Sequence, residues 1–184
     1  MNSPGIARTN TFNAGLSSSQ SQGDIYTLKI EDVKGNMLLT GPAESSMMIT
    51  NWSLAVDLPV DMNVANSNRT TGRARFQEMA FTKAVDMATP VLYAACSAGT
   101  DLKTATLEVY RTANGTNLLV MKIVLSQPII SQISTGGYGE GQIPMDNFTI
   151  NFTKITMEYV QQGLDGNSPG KTSFGWDLST NVAA

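Results

Sequence analysis

The residues of this chain whose types and spacing suggest chemistry are its carboxylates, one thiol and a few glycine-rich turns. It carries 15 Asp and Glu, a single Cys and no His. Without His there is no imidazole base, no Ser-His triad, no Cys-His dyad and almost no zinc site. Asp57 with Asp61, or Glu140 with Asp146, could pair as acid and base, yet nothing in their spacing favours that over solvated loop charges. Lys83 and Asp86 suit a local turn better than catalysis. Cys96 falls on the apolar side of a short helical segment and reads as a small core residue. A lone Cys closes no internal disulfide, so folding needs no oxidising compartment.

Two phosphate-like motifs fail on inspection. Ser168 to Thr172, SPGKT, imitates the end of a phosphate-binding loop, but the required upstream glycine position holds Asp165 and no helix follows. The cluster Gly136, Gly137, Gly139, Gly141 breaks the dinucleotide pattern at Gln142 and likewise opens no helix. It reads as a hairpin loop with Tyr138 at its tip as a contact residue. Five N-x-S/T sequons, at Asn51, Asn68, Asn114, Asn147 and Asn151, read as chance in an Asn- and Thr-rich chain. No catalytic residue, cofactor or metal is expected.

The elements that would position these residues are mostly strands. The exception is Phe81 to Gly99, FTKAVDMATPVLYAACSAG. Thr89 is placed to cap a helix, Pro90 to begin it and Gly99 to end it. Val91, Leu92, Ala95 and Cys96 form its apolar stripe, over about residues 90–98. So short a helix needs a sheet to dock on. Asp24 to Ile30 alternates as a strand, Ser45 to Val56 as a second and Arg73 to Phe81 as a third. Ala105 to Arg111 and Asn117 to Ser126 flank Asn114-Gly115, a hairpin signal, and the second of them is apolar on both faces like a central strand. Pro128 predicts a bulge or a switch between sheets. Ile129 to Ser134 continues as strand. In Asn147 to Val160 the apolar phase switches near Ile155, which predicts a bulge. Thr172 to Leu178 closes the chain. The count is eight or nine strands plus one helix. That is a mainly β fold, a closed or nearly closed β-barrel of two packed antiparallel sheets with one short α-helix.

At 184 residues the chain fits one domain, residues 24–184, preceded by a polar arm, residues 1–23, read as disordered. The arm has no apolar run of a signal peptide, and no stretch is long enough to span a membrane. Hydrophobic residues make up 41% and charged ones only 15%, and the net charge of −3 excludes a basic nucleic-acid footprint. The strand Asn147 to Thr153 shows a polar face of Asn and Thr without Lys, a poor defence against pairing with another chain. Leu58, Val60, Met62 and Val64 alternate along the Asp57 to Gly72 loop, and apolar residues so placed are expected to pack on a neighbouring subunit.

The block Phe81 to Gly99 resembles the Hcp family, the tube protein of the bacterial type VI secretion system. Lys29 to Gly35, KIEDVKG, is similar to that family's opening strand and turn. Ile133 to Gly137, ISTGG, resembles its strand-ending turn and Phe174 to Val182, FGWDLSTNV, its closing strand and tail. The Asp57 to Gly72 loop departs from the family's Gly-rich composition in being Asn-rich with four apolar residues. The resemblance implies a homohexameric ring, rings stacked into a tube, a contractile sheath around it and a VgrG spike at its tip. It also implies small effector proteins in the lumen, and export from the bacterial cytoplasm without a cleaved signal peptide. It implies no enzyme. Gly136, Gly137, Tyr138 and Gly139 would then lie at a ring face or in the lumen. Two alternatives are a phage tail-tube protein of the same architecture and a carboxylate-dependent hydrolase, for which no converging pair is apparent.

Overall fold

The computed structural model describes residues 24–35, 45–60, 72–113, 116–137, 139, 141–161 and 170–184. The expected arm, Met62, Val64, Tyr138, Asp61, Glu140 and the Asn114-Gly115 turn lie outside the described residues. The strands are β1 (Asp24–Ile30), β2 (Met47–Ile49), β3 (Asn51–Ser53), β4 (Val56–Asp57), β5 (Arg75–Phe76), β6 (Met79–Ala84), β7 (Thr104–Ala113), β8 (Thr116–Ser126), β9 (Ile129–Gly136), β10 (Met145–Asn151), β11 (Lys154–Gln161), β12 (Gly170–Asp177) and β13 (Val182–Ala183). The helix α1 is Thr89–Ala98.

They form a seven-stranded sheet in the order β13-β12-β11-β8-β7-β1-β2, a four-stranded sheet β3-β6-β10-β9 and a two-stranded ladder β4-β5. Every pairing is antiparallel. The expected closed or nearly closed barrel is not found: among the described residues no sheet closes on itself, with β13 and β2 at the two edges of the larger one and β3 and β9 at those of the smaller. What holds is two packed antiparallel sheets and one short helix. Leu28, Ile30, Leu107, Ile123, Leu125 and Ile155 from the larger sheet share one buried cluster with Met79, Phe81, Ile130, Phe148 and Ile150 from the smaller. Each such side chain contributes about 1.5–3 kcal/mol on burial.

The chain passes between the sheets where its local chemistry changes. The expected single strand Ser45 to Val56 breaks at Thr50, whose N–H and hydroxyl both donate to Thr82 O, at 2.8 and 2.9 Å. Residues before it pair in the larger sheet and those after it in the smaller. The Pro128 switch is found: β8 ends in one sheet and β9 begins in the other. Gln127 there adopts φ 50°, and its N–H donates to Lys103 O. The bulge expected near Ile155 is instead another sheet crossing, at Phe152 and Thr153, because a phase change in apolar alternation is common to both devices. Thr153 N–H donates to Ser126 O at 3.2 Å, so the two crossings brace each other. β8 is central, as its composition predicts, with Ile123 and Leu125 buried on one face and Lys122 and Val124 half-buried on the other.

α1 begins with Pro90 in its first turn and ends at Gly99 in the left-handed region, φ 61° and ψ 38°. The N–H of Gly99 donates to Cys96 O and that of Thr100 to Ala95 O, satisfying carbonyls the helix leaves open. Thr89 is not the cap: the preceding residue is Ala88, and no side chain caps the helix. The Thr89 hydroxyl is used elsewhere, as described below. The buried stripe is Thr89, Leu92 and Ala95; Val91 is exposed and Cys96 half-buried.

Candidate functional site

Two surfaces and one buried cluster hold the residues singled out by type. The first surface is the hairpin that leaves the smaller sheet after β3. Val56 opposes Phe76 and Asp57 opposes Arg75, and beyond them Gly72 N–H donates to Pro59 O at 2.8 Å. A side chain at position 72 would press on the Pro59 ring, its Cβ 3.3 Å from the nearest ring atom. Val56, Leu58 and Val60 are 56%, 49% and 42% exposed, so three apolar side chains on one hairpin lack cover in the single chain. Phe76 roots the hairpin, stacked on Phe174 with centroids 6.4 Å apart and edge-on to Phe152 at the same distance. Arg73 Nη2 donates to the carbonyls of Leu178 and Ser179.

The second surface is the turn after β9. Gly136 ends the strand opposite Met145, Gly137 lies against Pro144, and Gly139 and Gly141 take φ of 76° and 77°, which only glycine adopts freely. In the smaller sheet Ala84 opposes Met145 and Met79 opposes Ile150. The glycine turn therefore lies past the Ala84 end of β6, and the apolar hairpin lies past the Met79 end. Among the described residues the two expected contact surfaces are not brought together.

The buried cluster is the part sequence reasoning undervalued. Lys83 is fully buried, in phase with Met79 and Phe81 on the core side of β6. Opposite them on β10 stand Asp146, Phe148 and Ile150, all buried. The third rung of an apolar ladder is thus an ion pair, Lys83 Nζ to Asp146 Oδ2 at 2.8 Å. Lys83 Nζ also reaches Asp86 Oδ1 at 2.7 Å, Thr89 Oγ1 at 3.1 Å and the Ala84 carbonyl at 3.1 Å. The Thr89 hydroxyl accepts from Asp86 N–H and donates to Asp146 Oδ2. Thr135 donates to Asp146 Oδ1 at 2.6 Å and is bonded in turn by the Tyr93 hydroxyl. Burial pushes the Asp146 carboxyl up, but hydrogen bonds from Lys83, Thr135 and Thr89 and the charge of Lys83 together outweigh it and hold the group below its usual value. The cluster ties the start of α1 to three strands, and it offers no open position for a reactant. Its signal in the sequence was a Lys in phase with Met79 and Phe81.

Of the two expected carboxylate pairs, Asp61 and Glu140 lie outside the described residues, and the other two members are engaged elsewhere or exposed. Asp57 is exposed on the hairpin opposite Arg75, and Asp146 is committed to Lys83. An open groove of about 610 Å³ on the larger sheet is lined in part by Lys122, Thr156, Glu158 and Ser173; its Glu158 is paired with Lys171 at 2.5 Å. Among the described residues, no three His, Cys, Asp or Glu gather as a metal site.

Comparisons with known proteins agree with this architecture. A family model described as type VI secretion system effector, Hcp, matches residues 27–159. The protein hcp1 of Pseudomonas aeruginosa is 32% identical over 113 residues, 61% of this chain and 70% of that protein. A solved type six secretion system protein superposes with a TM-score of 0.82 at 22% identity, covering 88% of this chain and 100% of its own. Hcp1 from Salmonella typhimurium does so at 0.71 and 18% identity, covering 88% and 99%. The family match spans well over half of the chain, taking in the smaller sheet, the helix and much of the larger sheet, and the chain belongs to the Hcp family of type VI secretion.

Proposed function

We propose that this protein is a structural subunit of the type VI secretion tube. Copies close into hexameric rings, rings stack, and the tube is ejected carrying small effector proteins in its lumen. Its partners are further copies of itself, the contractile sheath, the VgrG spike and the effectors, and it leaves the cytoplasm without a cleaved signal peptide. The work is mechanical, done by surfaces rather than by an active site. The observation that carries this reading, beyond family membership, is the hairpin with Val56, Leu58 and Val60 uncovered. A head-to-tail contact that closes by rotation gives a ring, and one along the axis gives a tube.

Leu58 and Val60 are each about half covered already. Completing their burial at a subunit contact contributes about 1 kcal/mol apiece, and a buried unpaired carboxylate would add a larger penalty. Leu58→Asp with Val60→Asp should therefore weaken self-association at least about 30-fold while leaving the circular dichroism spectrum and melting temperature near wild type. Light scattering across micromolar concentrations and negative-stain images read this out. A strictly monomeric wild type, or a double variant that assembles normally, removes the proposal.

The Gly136 to Gly141 turn, past the other end of β6, is assigned to the opposite ring face or to the lumen. Tyr138→Ala should reduce ring stacking or co-purification of effector, and unchanged behaviour in both assays argues against the assignment.

A further inference from the structure

The hairpin cannot hold its own pose. Its ladder β4-β5 has two residue pairs, extended by the Gly72 bond to Pro59 on one side and by Gln77 N–H to Ala55 O on the other. A two-stranded ribbon of that size is marginal in water, even without the cost of displaying apolar side chains. Something outside the ladder must fix its direction.

The turn after β12 is built for that load. Leu178 packs against the core, and its N–H donates to Thr153 O at 2.9 Å. Asp177 Oδ1 accepts from the Ser179 hydroxyl and from the N–H groups of Ser179 and Thr180, while Asn181 N–H returns to Asp177 O. These bonds, the Ser179 hydroxyl first and the Thr180 N–H next, lower the Asp177 carboxyl to about 2. The turn is thus cross-tied and core-anchored, and it presents two adjacent carbonyls, Leu178 O and Ser179 O. Arg73, on the return leg of the hairpin and 105 residues away along the chain, donates Nη2 to both.

We infer that Arg73 is a positioning residue for the self-contact: it clips the apolar hairpin to the C-terminal turn and so sets the direction in which Val56, Leu58 and Val60 are presented. The turn is the rigid partner and the hairpin the one that is held. Arg73 need not touch the neighbouring copy. This rests on the reading of the hairpin as an assembly contact.

The test compares the full-length wild type with Arg73→Ala and Arg73→Lys, diluted until none of the three assembles. Amide hydrogen exchange should rise at least about tenfold at Gly72 and Gln77 in Arg73→Ala, the loss expected for a charge-assisted hydrogen bond. Exchange at Thr180 and Asn181 should change little. Arg73→Lys, which keeps a cationic donor near the two carbonyls, should restore most of the protection. At working concentration Arg73→Ala should assemble more weakly although every apolar hairpin residue is intact, and Arg73→Lys should recover. Unchanged exchange at Gly72 and Gln77, or exchange that rises in the turn instead, overturns the clip whatever assembly does. Loosened hairpin amides with unimpaired assembly overturn Arg73 as a positioning residue for the contact. The Leu58→Asp, Val60→Asp variant reports separately on whether the hairpin is a contact at all.

Discussion

Lys83→Met should lower the unfolding free energy by about 3–5 kcal/mol at neutral pH, the cost of leaving a buried charge without its partner. Asp146 is fully buried and Asp86 nearly so, and Lys83 is the cation between them. Methionine matches the stem of lysine but leaves two carboxylates facing each other across an apolar space. The pH dependence should also change sign. In the wild type the Asp146 carboxyl is held below its ordinary value, despite burial, by Lys83, Thr135 and Thr89. A depressed carboxyl contributes stability that is fully present above the unfolded-state value of about 3.9. That stability is lost as pH falls through the lower folded value. Without Lys83, burial dominates and pushes Asp146 up, so the variant becomes more stable as pH falls from about 7.5 toward about 5. Urea denaturation at the two pH values measures both effects. An equal loss at both would mean that Asp146 does not depend on Lys83 for its ionisation.

That cluster also marks where the sequence was hard to read. Punctuation by Pro90 and Gly99 made α1 legible almost to the residue, because a missing N–H and a left-handed φ are local demands. Leu58 and Val60 stand out in the sequence as apolar residues on a loop, but the β4-β5 ladder beneath them does not, because two residue pairs are too short to leave an alternating pattern. The long strand expected over Ser45 to Val56 was not local. Thr50 bonds Thr82, 32 residues on, and only that pairing shows that the strand changes sheets. Thr89 has the residue type of a cap and the position of one, yet its hydroxyl is taken by Lys83 and Asp146, the latter 57 residues away. Lys83 and Asp86 do fix the local turn that their spacing suggests, with Nζ 2.7 Å from Asp86 Oδ1. The second carboxylate on Lys83, Asp146, lies 63 residues away, where no helical or strand window reaches it. In each case, what escaped the sequence was a polar group satisfied at long range.

The rung beside the ion pair sets the second large effect. Phe81 is 2% exposed and directly opposite Phe148, the two rings stacked with centroids 5.3 Å apart, while Trp52 flanks Phe81 on β3 and Ile133 flanks Phe148 on β9. Phe81→Ala should cost about 4 kcal/mol, the sum of lost transfer, a residual cavity and the lost ring contact. No ionisable group is removed, so the loss should be the same at about pH 5 and about pH 7.5, in contrast to Lys83→Met. Both residues lie on the core face of one strand, two positions apart, and both brace β10, so their effects should couple. Either loss alone is a large part of the roughly 5–15 kcal/mol that holds a domain of this kind together. The double variant should therefore fail to give a cooperative urea transition, and each single variant should still give one. Because β6 lies in the chain between the hairpin root at Phe76 and the start of α1, weakening it should loosen the hairpin and the helix together. Phe81→Ala should thus assemble poorly in proportion to its unfolded fraction, and adding a stabilising osmolyte should restore assembly. Leu58→Asp with Val60→Asp removes the proposed contact surface, so no gain in stability should restore assembly there. Osmolyte rescue of the hairpin variant, or its absence in Phe81→Ala, would contradict this division between a core that holds the hairpin and a hairpin that makes the contact.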